Sequence, residues 1–423
     1  MKVLFVVSSC CTPRISPKRI YTGYDYIVSD IAEKLGSICQ VEIYSLNPCP
    51  ENSHIGGVAV KSCVNYKRLL KKIRFGDIVR YVKIFFRALP YIKDAIKSVL
   101  WYIQVEDIDD LIKRNDYDIV HIHGVRFSCY ISSLAAANNK KPFLFTMHGL
   151  ISYGISGIPR IDSDSEQAAF SIIKQNNFIA TTVSSGTKRV PCEHRKIDSN
   201  KIRVINNAIK NTVVTDTEYW YTKFPQTKGK RIVIGVGTIG SNKNQIQLLR
   251  AYLLLPKDLQ KNTAIILAGK DNTNGAIEKF ILENNLYNNV FICGFVDKFK
   301  LSNLYAIADY NVMLSITEGF GLSMIEAASY GIPTLTFSDL DAVKDIYSPA
   351  SMLLMGDRSD ETVAEGIIKM FSNDWNRDEI VKESLKFNED IYREYLDVYK
   401  FILERGSNII PPKAVSYTHL RAH

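Results

Sequence analysis

Short apolar runs recur along the whole chain, each followed by a stretch with helical periodicity. Val3–Val7, Val41–Tyr44, Asp118–His121, Phe143–Thr146, Phe178–Thr181 and Ile202–Ile205 form one series. Ile232–Val236, Ala264–Ala268, Val290–Cys293, Asn311–Leu314, Thr334–Phe337 and Ser351–Leu354 form a second. Apolar runs without alternation fit strands buried on both faces, and helices between them make the pairing parallel. The two series predict an α/β chain of two doubly wound, Rossmann-like domains. At 423 residues the chain has room for both cores.

The stretch Asn211–Lys230 is polar and poor in strand formers, which marks it as the linker. The expected domains are therefore residues 1–210 and 211–375. After them, Trp375–Glu404 has a helical pattern, with Ile380, Leu385, Ile391, Tyr395, Val398 and Ile402 along one side. Ala414–His423 departs from this pattern and reads as a non-native tail. The eight cysteines form no CxxC pair and no metal-ligand spacing, as expected of a reducing compartment. The opening apolar run is too short for a signal peptide, and no stretch approaches the ~18 apolar residues of a membrane span. A cytoplasmic protein is expected.

The run Ala308–Phe337 carries the strongest chemical signal. A strand ends near Ser315, a turn runs through Glu318-Gly319-Phe320-Gly321, and a helix starts near Leu322. Glycines allow sharp geometry and close approach of a ligand, and the N-terminus of a new helix attracts anions. Glu318 precedes that helix and Glu326 lies inside it. Taken singly, Glu318 reads as a helix-start carboxylate and Glu326 as a surface charge. Together they suit a ligand with an anionic middle and hydroxyl-rich ends, such as a nucleoside diphosphate sugar.

This segment resembles the paired-glutamate motif of the retaining family 4 glycosyltransferases. The resemblance implies their GT-B fold, two doubly wound Rossmann-like domains facing across a cleft. The frame is also similar: Gly294 after a strand, Ala308-Asp309, Ser315, and Gly331-Ile332-Pro333. The resemblance implies that Glu318 lies at the donor sugar and Glu326 at the ribose, with Gly319, Phe320, Gly321 and Leu322 also contacting the donor. It further implies a terminal helix, about 376–404, that crosses back to the first domain.

Gly237-Thr238-Ile239-Gly240-Ser241-Asn242-Lys243 looks like the family's diphosphate loop, with Lys243 on the family's lysine. There a point charge can neutralise the leaving phosphate. Thr238 stands where the family usually has arginine, and Lys270, at the end of the next strand, is a candidate replacement. Gly235, Gly237 and Gly240 also spell GxGxxG. A dinucleotide site needs an acidic residue ~20 positions later, whereas Asp271 lies 31 residues after Gly240.

In the first domain, His123 and His148 end consecutive strands, where open α/β sheets bind ligands. They could line a cleft or be buried, hydrogen-bonded histidines; neither has a ligand partner at metal-binding spacing. By resemblance, His148 matches the family's histidine near the donor sugar. Gly23, at the entry to a helix, resembles the N-terminal glycine turn on the acceptor side.

The implied reaction is retaining transfer of a sugar from a nucleotide donor to a saccharide or lipid-linked hydroxyl, as in bacterial-type surface polysaccharide or glycolipid assembly. No cofactor or metal is expected. A GT-B-like protein that only binds nucleotide sugar, or a nucleotide-sugar epimerase, are the alternatives.

Eleven Lys/Arg between residues 61 and 104, against Asp77 and Asp94, account for the entire net charge of +9. Within this segment Ile78, Val82, Phe85, Phe86 and Leu89 are helically spaced, with Arg80, Lys83 and Arg87 on another stripe. A core helix with a wetted basic face fits this pattern, and so does a helix lying on an anionic membrane. The resemblance favours the membrane, since many members of that family act on lipid-linked or membrane-borne acceptors. A peripheral membrane position is therefore expected, with no nucleic-acid partner.

Overall fold

The computed structural model describes residues 1–10, 22–50, 52–62, 73, 75–151, 160–175, 178–209, 212–387 and 392–405. The proposed non-native tail and residues 63–72 of the basic segment lie outside these. The chain divides into two compact units: Met1–Asn206 with Asp390–His423, and Asn207–Glu389.

The first unit is built on strands β1 Lys2–Val7, β2 Gln40–Ser45, β3 Ser53–Ile55, β4 Val58–Ser62, β5 Ile119–His123, β6 Phe143–Met147, β7 Ala180–Thr182 and β8 Ile202–Val204. Their order is β3-β4-β2-β1-β5-β6-β7-β8, parallel except for the β3–β4 pair. That hairpin was not expected. It turns through Gly56 and Gly57, both at positive φ (48° and 90°), a conformation that favours glycine.

The second unit holds β9 Arg231–Val236, β10 Thr263–Ala268, β11 Val290–Gly294, β12 Tyr310–Val312, β13 Thr334–Phe337 and β14 Met352–Met355. Their order is β11-β10-β9-β12-β13-β14, all parallel. Every residue of β10 is buried, which explains its unbroken apolar run: helices cover both faces. Leu248, Leu249, Ile265, Leu267 and Leu335 pack on one side of this sheet, and Trp220, Ile232, Ile266 and Leu304 on the other.

Each sheet has one switch point, where successive strands begin to add on the opposite side. It falls between β1 and β5 in the first unit and between β9 and β12 in the second. Ligands of open α/β sheets bind beyond the strand ends at such points.

Two sequence expectations need correction. Asn211 lies outside the described residues, but the rest of the expected linker is not a free connector. Residues Glu218–Lys223 form a helix, and the buried Trp220 donates its indole N–H to the Lys300 carbonyl at 2.9 Å. Thr215 and Asp216 donate their backbone N–H groups to Asn303. The segment therefore packs on the second unit, anchored by an aromatic that its polar composition obscured. The expected terminal helix is also interrupted. Arg377–Ser384 is helical and is followed by a 3-10 turn at Leu385–Phe387, both in the second unit. Arg393–Glu404 is a separate helix of the first unit.

Candidate functional site

In the second unit, β9 ends at Val236 and the chain turns through Gly237. Gly237 has φ +136°, and a Cβ there would lie 3.0 Å from Lys243 Cε. Glycine at this position thus lets the backbone turn and the lysine side chain lie against it. Across the switch point, the segment after β12 reaches Glu318. Lys243 Nζ donates to Glu318 Oε1, forming an ion pair whose side chains are 22% and 12% exposed. The Ser315 hydroxyl donates to the same oxygen at 2.7 Å. The two residues singled out on separate motifs are therefore in direct contact.

Asn242 holds the two loops in register. Its carbonyl accepts from Ile316 N–H at 2.8 Å. Its side-chain Oδ1 accepts from Thr317 N–H at 3.1 Å and from the Thr317 hydroxyl at 3.0 Å. Its Nδ2 donates to the Thr317 carbonyl at 3.1 Å. Sequence reasoning passed over Asn242 because nothing in a loop asparagine signals a partner 75 residues away. Arg358 was missed for the same reason. It donates to the Ser315 carbonyl at 3.1 Å while forming a two-pronged pair with Asp339.

Beyond Glu318, Gly319 and the buried Phe320 lead to Gly321, the N-cap of the helix Leu322–Ser329, with φ +81°. A Cβ on Gly321 would collide with Met324 Cε. Phe320 packs edge-on against Phe387 at 5.7 Å, which fixes the turn from below. The first N–H groups of a helix have no intrahelical acceptors. Beside them, the buried Ser323 hydroxyl has no hydrogen-bond partner among the described residues. A buried hydroxyl without a partner at a helix start suits an anion acceptor. One helix turn on from Leu322, Glu326 Oε2 accepts from the Tyr305 hydroxyl at 3.0 Å. Burial first, and then the Glu326 charge, push the Tyr305 hydroxyl well above its ordinary pKa, so it stays a donor.

Thr238 is exposed and supplies no charge. The Lys270 carbonyl accepts from Ile239 N–H at 2.9 Å, which places Lys270 alongside the Thr238 loop on an exposed strand end.

In the first unit, His123 closes β5 and His148 follows β6. His123 Nδ1 and His148 Nε2 are 3.0 Å apart. His123 is fully buried, so it lines no surface, and the expectation of a cleft-lining residue fails for it. Only His148 of the pair is partly exposed. Behind them, His121 bonds Tyr399 and Thr146, each at 2.6 Å. Burial holds all three imidazoles neutral: His121 and His123 well below the ordinary value, and His148 at about 4.

Gly23 opens the helix Gly23–Gly36, capped by Thr22 and Asp25. Gly23 makes no described contact with the histidines, whereas its neighbour Tyr24 does. Tyr24 accepts from Ser8 N–H at 3.2 Å, donates to the His123 carbonyl at 2.9 Å, and meets the His148 ring edge-on at 5.2 Å. Among the described residues no group of three or more His, Cys, Asp or Glu could hold a metal ion.

Residues 40–212 match the family model described as Glycosyltransferase Family 4, and residues 217–387 match Glycosyl transferases group 1. Together these matches span most of both units. The chain belongs to glycosyltransferase family 4.

This glycosyltransferase is 24% identical over 308 residues to an uncharacterized glycosyltransferase of Methanocaldococcus jannaschii, covering 68% of this chain and 76% of that protein. It is also 24% identical over 306 residues to a 2-deoxystreptamine N-acetyl-D-glucosaminyltransferase of Niallia circulans, covering 68% and 77%. Among solved structures, a sucrose-phosphate synthase of Thermosynechococcus elongatus superposes with TM-score 0.72 at 17% identity, over 96% of this chain and 99% of that one. An Anabaena protein, HepE, in complex with UDP and glucose superposes at 0.70 and 13% identity, over 95% and 99%. At these identities the structural matches speak to the fold, which is GT-B.

Proposed function

We propose that the glycosyltransferase moves a sugar from a nucleoside diphosphate donor to an acceptor hydroxyl with retention of anomeric configuration. The observation that carries this reading is the Lys243–Glu318 pair at the second unit's switch point, beside a helix start where the Ser323 hydroxyl is without a partner among the described residues. The diphosphate lies at the N-terminus of Leu322–Ser329, where helix N–H groups, the Ser323 hydroxyl and Lys243 neutralise it. Lys270 stands in for the arginine that Thr238 replaces. Glu318 accepts hydroxyls of the donor sugar, and Glu326, steadied by Tyr305, accepts those of the ribose. The His148 imidazole, held neutral, acts at the donor sugar.

In the transfer the acceptor oxygen bonds to the anomeric carbon and the bond from that carbon to the phosphate oxygen breaks. The acceptor proton passes to the departing phosphate on the same face, and the nucleoside diphosphate leaves. Lys243 contributes most when negative charge grows on that phosphate. Catalysis by this route needs no protein nucleophile and draws on no metal.

The acceptor in this reading is a saccharide or lipid-linked saccharide of bacterial-type surface polysaccharide or glycolipid assembly, used at the cytoplasmic membrane face. Support comes from partial likeness to an O-antigen chain mannosyltransferase of Escherichia coli, 29% identical over 141 residues. Proton NMR of the first product formed tests the stereochemistry. An α-linked product from an α-configured donor is expected, and a β-linked product overturns the retaining reading. Thr238 favours a second reading, a nucleotide-sugar-binding protein with little transfer. Binding of donor without release of nucleoside diphosphate across a set of acceptors would select it.

A further inference from the structure

The helix Ile78–Arg87 divides lengthwise into three sectors. Ile84 and the following Ala88 are buried, and Phe85 packs against the same core. Tyr81 meets Tyr102 of the next helix, Ile92–Arg114, edge-on at 5.9 Å. At 3.6 residues per turn, Ile78, Val79, Val82 and Phe86 fill the neighbouring sector. These four are 44%, 64%, 48% and 65% exposed, and Phe75, in the preceding 3-10 turn, is 88% exposed. The third sector carries Arg80, Lys83 and Arg87, with Arg80 paired to Asp77 and Arg87 to Asp164. The next helix begins with the same mixture: exposed Ile92 and Ile96 beside exposed Lys93 and Lys97.

The sequence pattern puts Ile78, Val82, Phe85, Phe86 and Leu89 on one apolar side and leaves open whether core or membrane covers it. The core takes Phe85 and Leu89 and leaves the others in water. Single exposed apolar residues are ordinary on a protein surface. Four on one helix face, next to a stripe of cations and with exposed Phe75 just before the helix, are not.

We propose that this face docks on an anionic lipid bilayer, with Phe75, Val79, Val82 and Phe86 entering the headgroup–acyl boundary and Lys83, Lys93 and Lys97 meeting lipid phosphates. A basic helix with an apolar sector lies in the plane of such an interface. Charge complementarity selects the occupant. Residues 75–97 carry five cations against Asp77 and Asp94, while the chain outside the basic segment is neutral. A second copy docked here would set one cationic stripe against another. A nucleic acid would satisfy the cations and leave the apolar sector in water. The inference rests on exposure and charge, and vesicle binding is read without any sugar transfer, so it stands or falls separately from the donor-site reading.

The test is sedimentation of the full chain with phosphatidylcholine vesicles, with and without phosphatidylglycerol, over a salt series. The wild type is expected to bind only the anionic vesicles and to detach as salt rises. Removing a surface cation costs about fivefold in binding, so Lys83→Gln, Lys93→Gln and Lys97→Gln together are expected to cost roughly 100-fold. The combined Phe75→Ser, Val79→Ser and Phe86→Ser variant is expected to lose binding by more than about tenfold. All six side chains are exposed, so both variants should melt like the wild type and bind nucleoside diphosphate equally. Equal binding to neutral and anionic vesicles, no binding at all, or wild-type binding by the apolar triple variant would overturn the proposal. So would a dimer that the apolar triple variant dissolves, which would assign the face to a second copy.

Discussion

Asn242 is bound to Thr317 through three side-chain hydrogen bonds, and through them the Lys243 loop is locked to the Glu318 turn. The ion pair that follows in both segments is thus positioned by the residues immediately before it. Asn242 acts through its neighbours and touches no reacting atom in the proposed site. Asn242→Ala removes all three side-chain bonds but keeps the backbone bond to Ile316. At about 1 kcal/mol each, a stability loss of about 1–3 kcal/mol is expected from urea unfolding. The distinguishing readout is kinetic: kcat should fall more than KM rises, and Asn242→Asp, which retains the acceptor oxygen, should recover part of it. Unchanged kcat in the alanine variant would leave Asn242 a purely structural residue.

Glu318 shares its Oε1 with Lys243 and Ser315. Glu318→Gln keeps the size and one acceptor but removes the charge that pairs with Lys243. Transfer is expected to fall about 100-fold or more, the scale set by loss of one preorganised electrostatic contact. Nucleoside diphosphate, which lacks the sugar, should bind at near wild-type strength. A parallel loss of nucleoside diphosphate affinity would move Glu318 from the sugar to the phosphate.

The buried histidines make the first unit sensitive to acid. Burial lowers the folded-state pKa of His148 to about 4, and holds His121 and His123 well below their ordinary value. The unfolded chain therefore binds more protons than the folded one between about pH 6.5 and 4. Stability is present above that window and is lost as pH falls through it. For His148 alone the slope approaches about 1.4 kcal/mol per pH unit. Comparing melting curves of the wild type and His148→Gln at several pH values isolates this part. The variant should lose less stability on acidification, and parallel curves would contradict the assignment.

Trp220 anchors the segment that sequence composition marks as a linker. Trp220→Ala removes a buried indole and its hydrogen bond to Lys300, and an order of 3–5 kcal/mol of destabilisation is expected. Limited proteolysis of the variant should open cleavage near residues 212–230. A flexible linker would instead tolerate the change with little effect on melting.

Much of this fold is legible in the sequence because buried parallel strands have a plain signature. The twelve expected strands appear within a residue or two of their predicted bounds. The β3–β4 hairpin escaped because β3 has three residues with His54 in the middle and β4 ends in Lys61 and Ser62, so neither makes an unbroken buried apolar run, although Gly56-Gly57 marked its turn. The terminal helix was overextended because a helical pattern of apolar residues does not reveal that its two parts belong to different units. In the site, Lys243 and Glu318 stand out through glycine-framed motifs. Asn242, Arg358 and Tyr24 do not, since each acts through hydrogen bonds to residues distant in sequence. The exposed sector of Ile78–Arg87 was likewise invisible as such, because apolar spacing shows an amphipathic helix and not how far around it the core reaches.

The most direct test of the proposed donor site is calorimetric titration of UDP, GDP and ADP into the wild type and Lys243→Ala. The account predicts that one of these nucleoside diphosphates binds the wild type, and that the variant binds it about 100-fold more weakly for want of the phosphate's cation. Equal affinity in the two proteins would contradict it, because Lys243 would then serve only to hold Glu318.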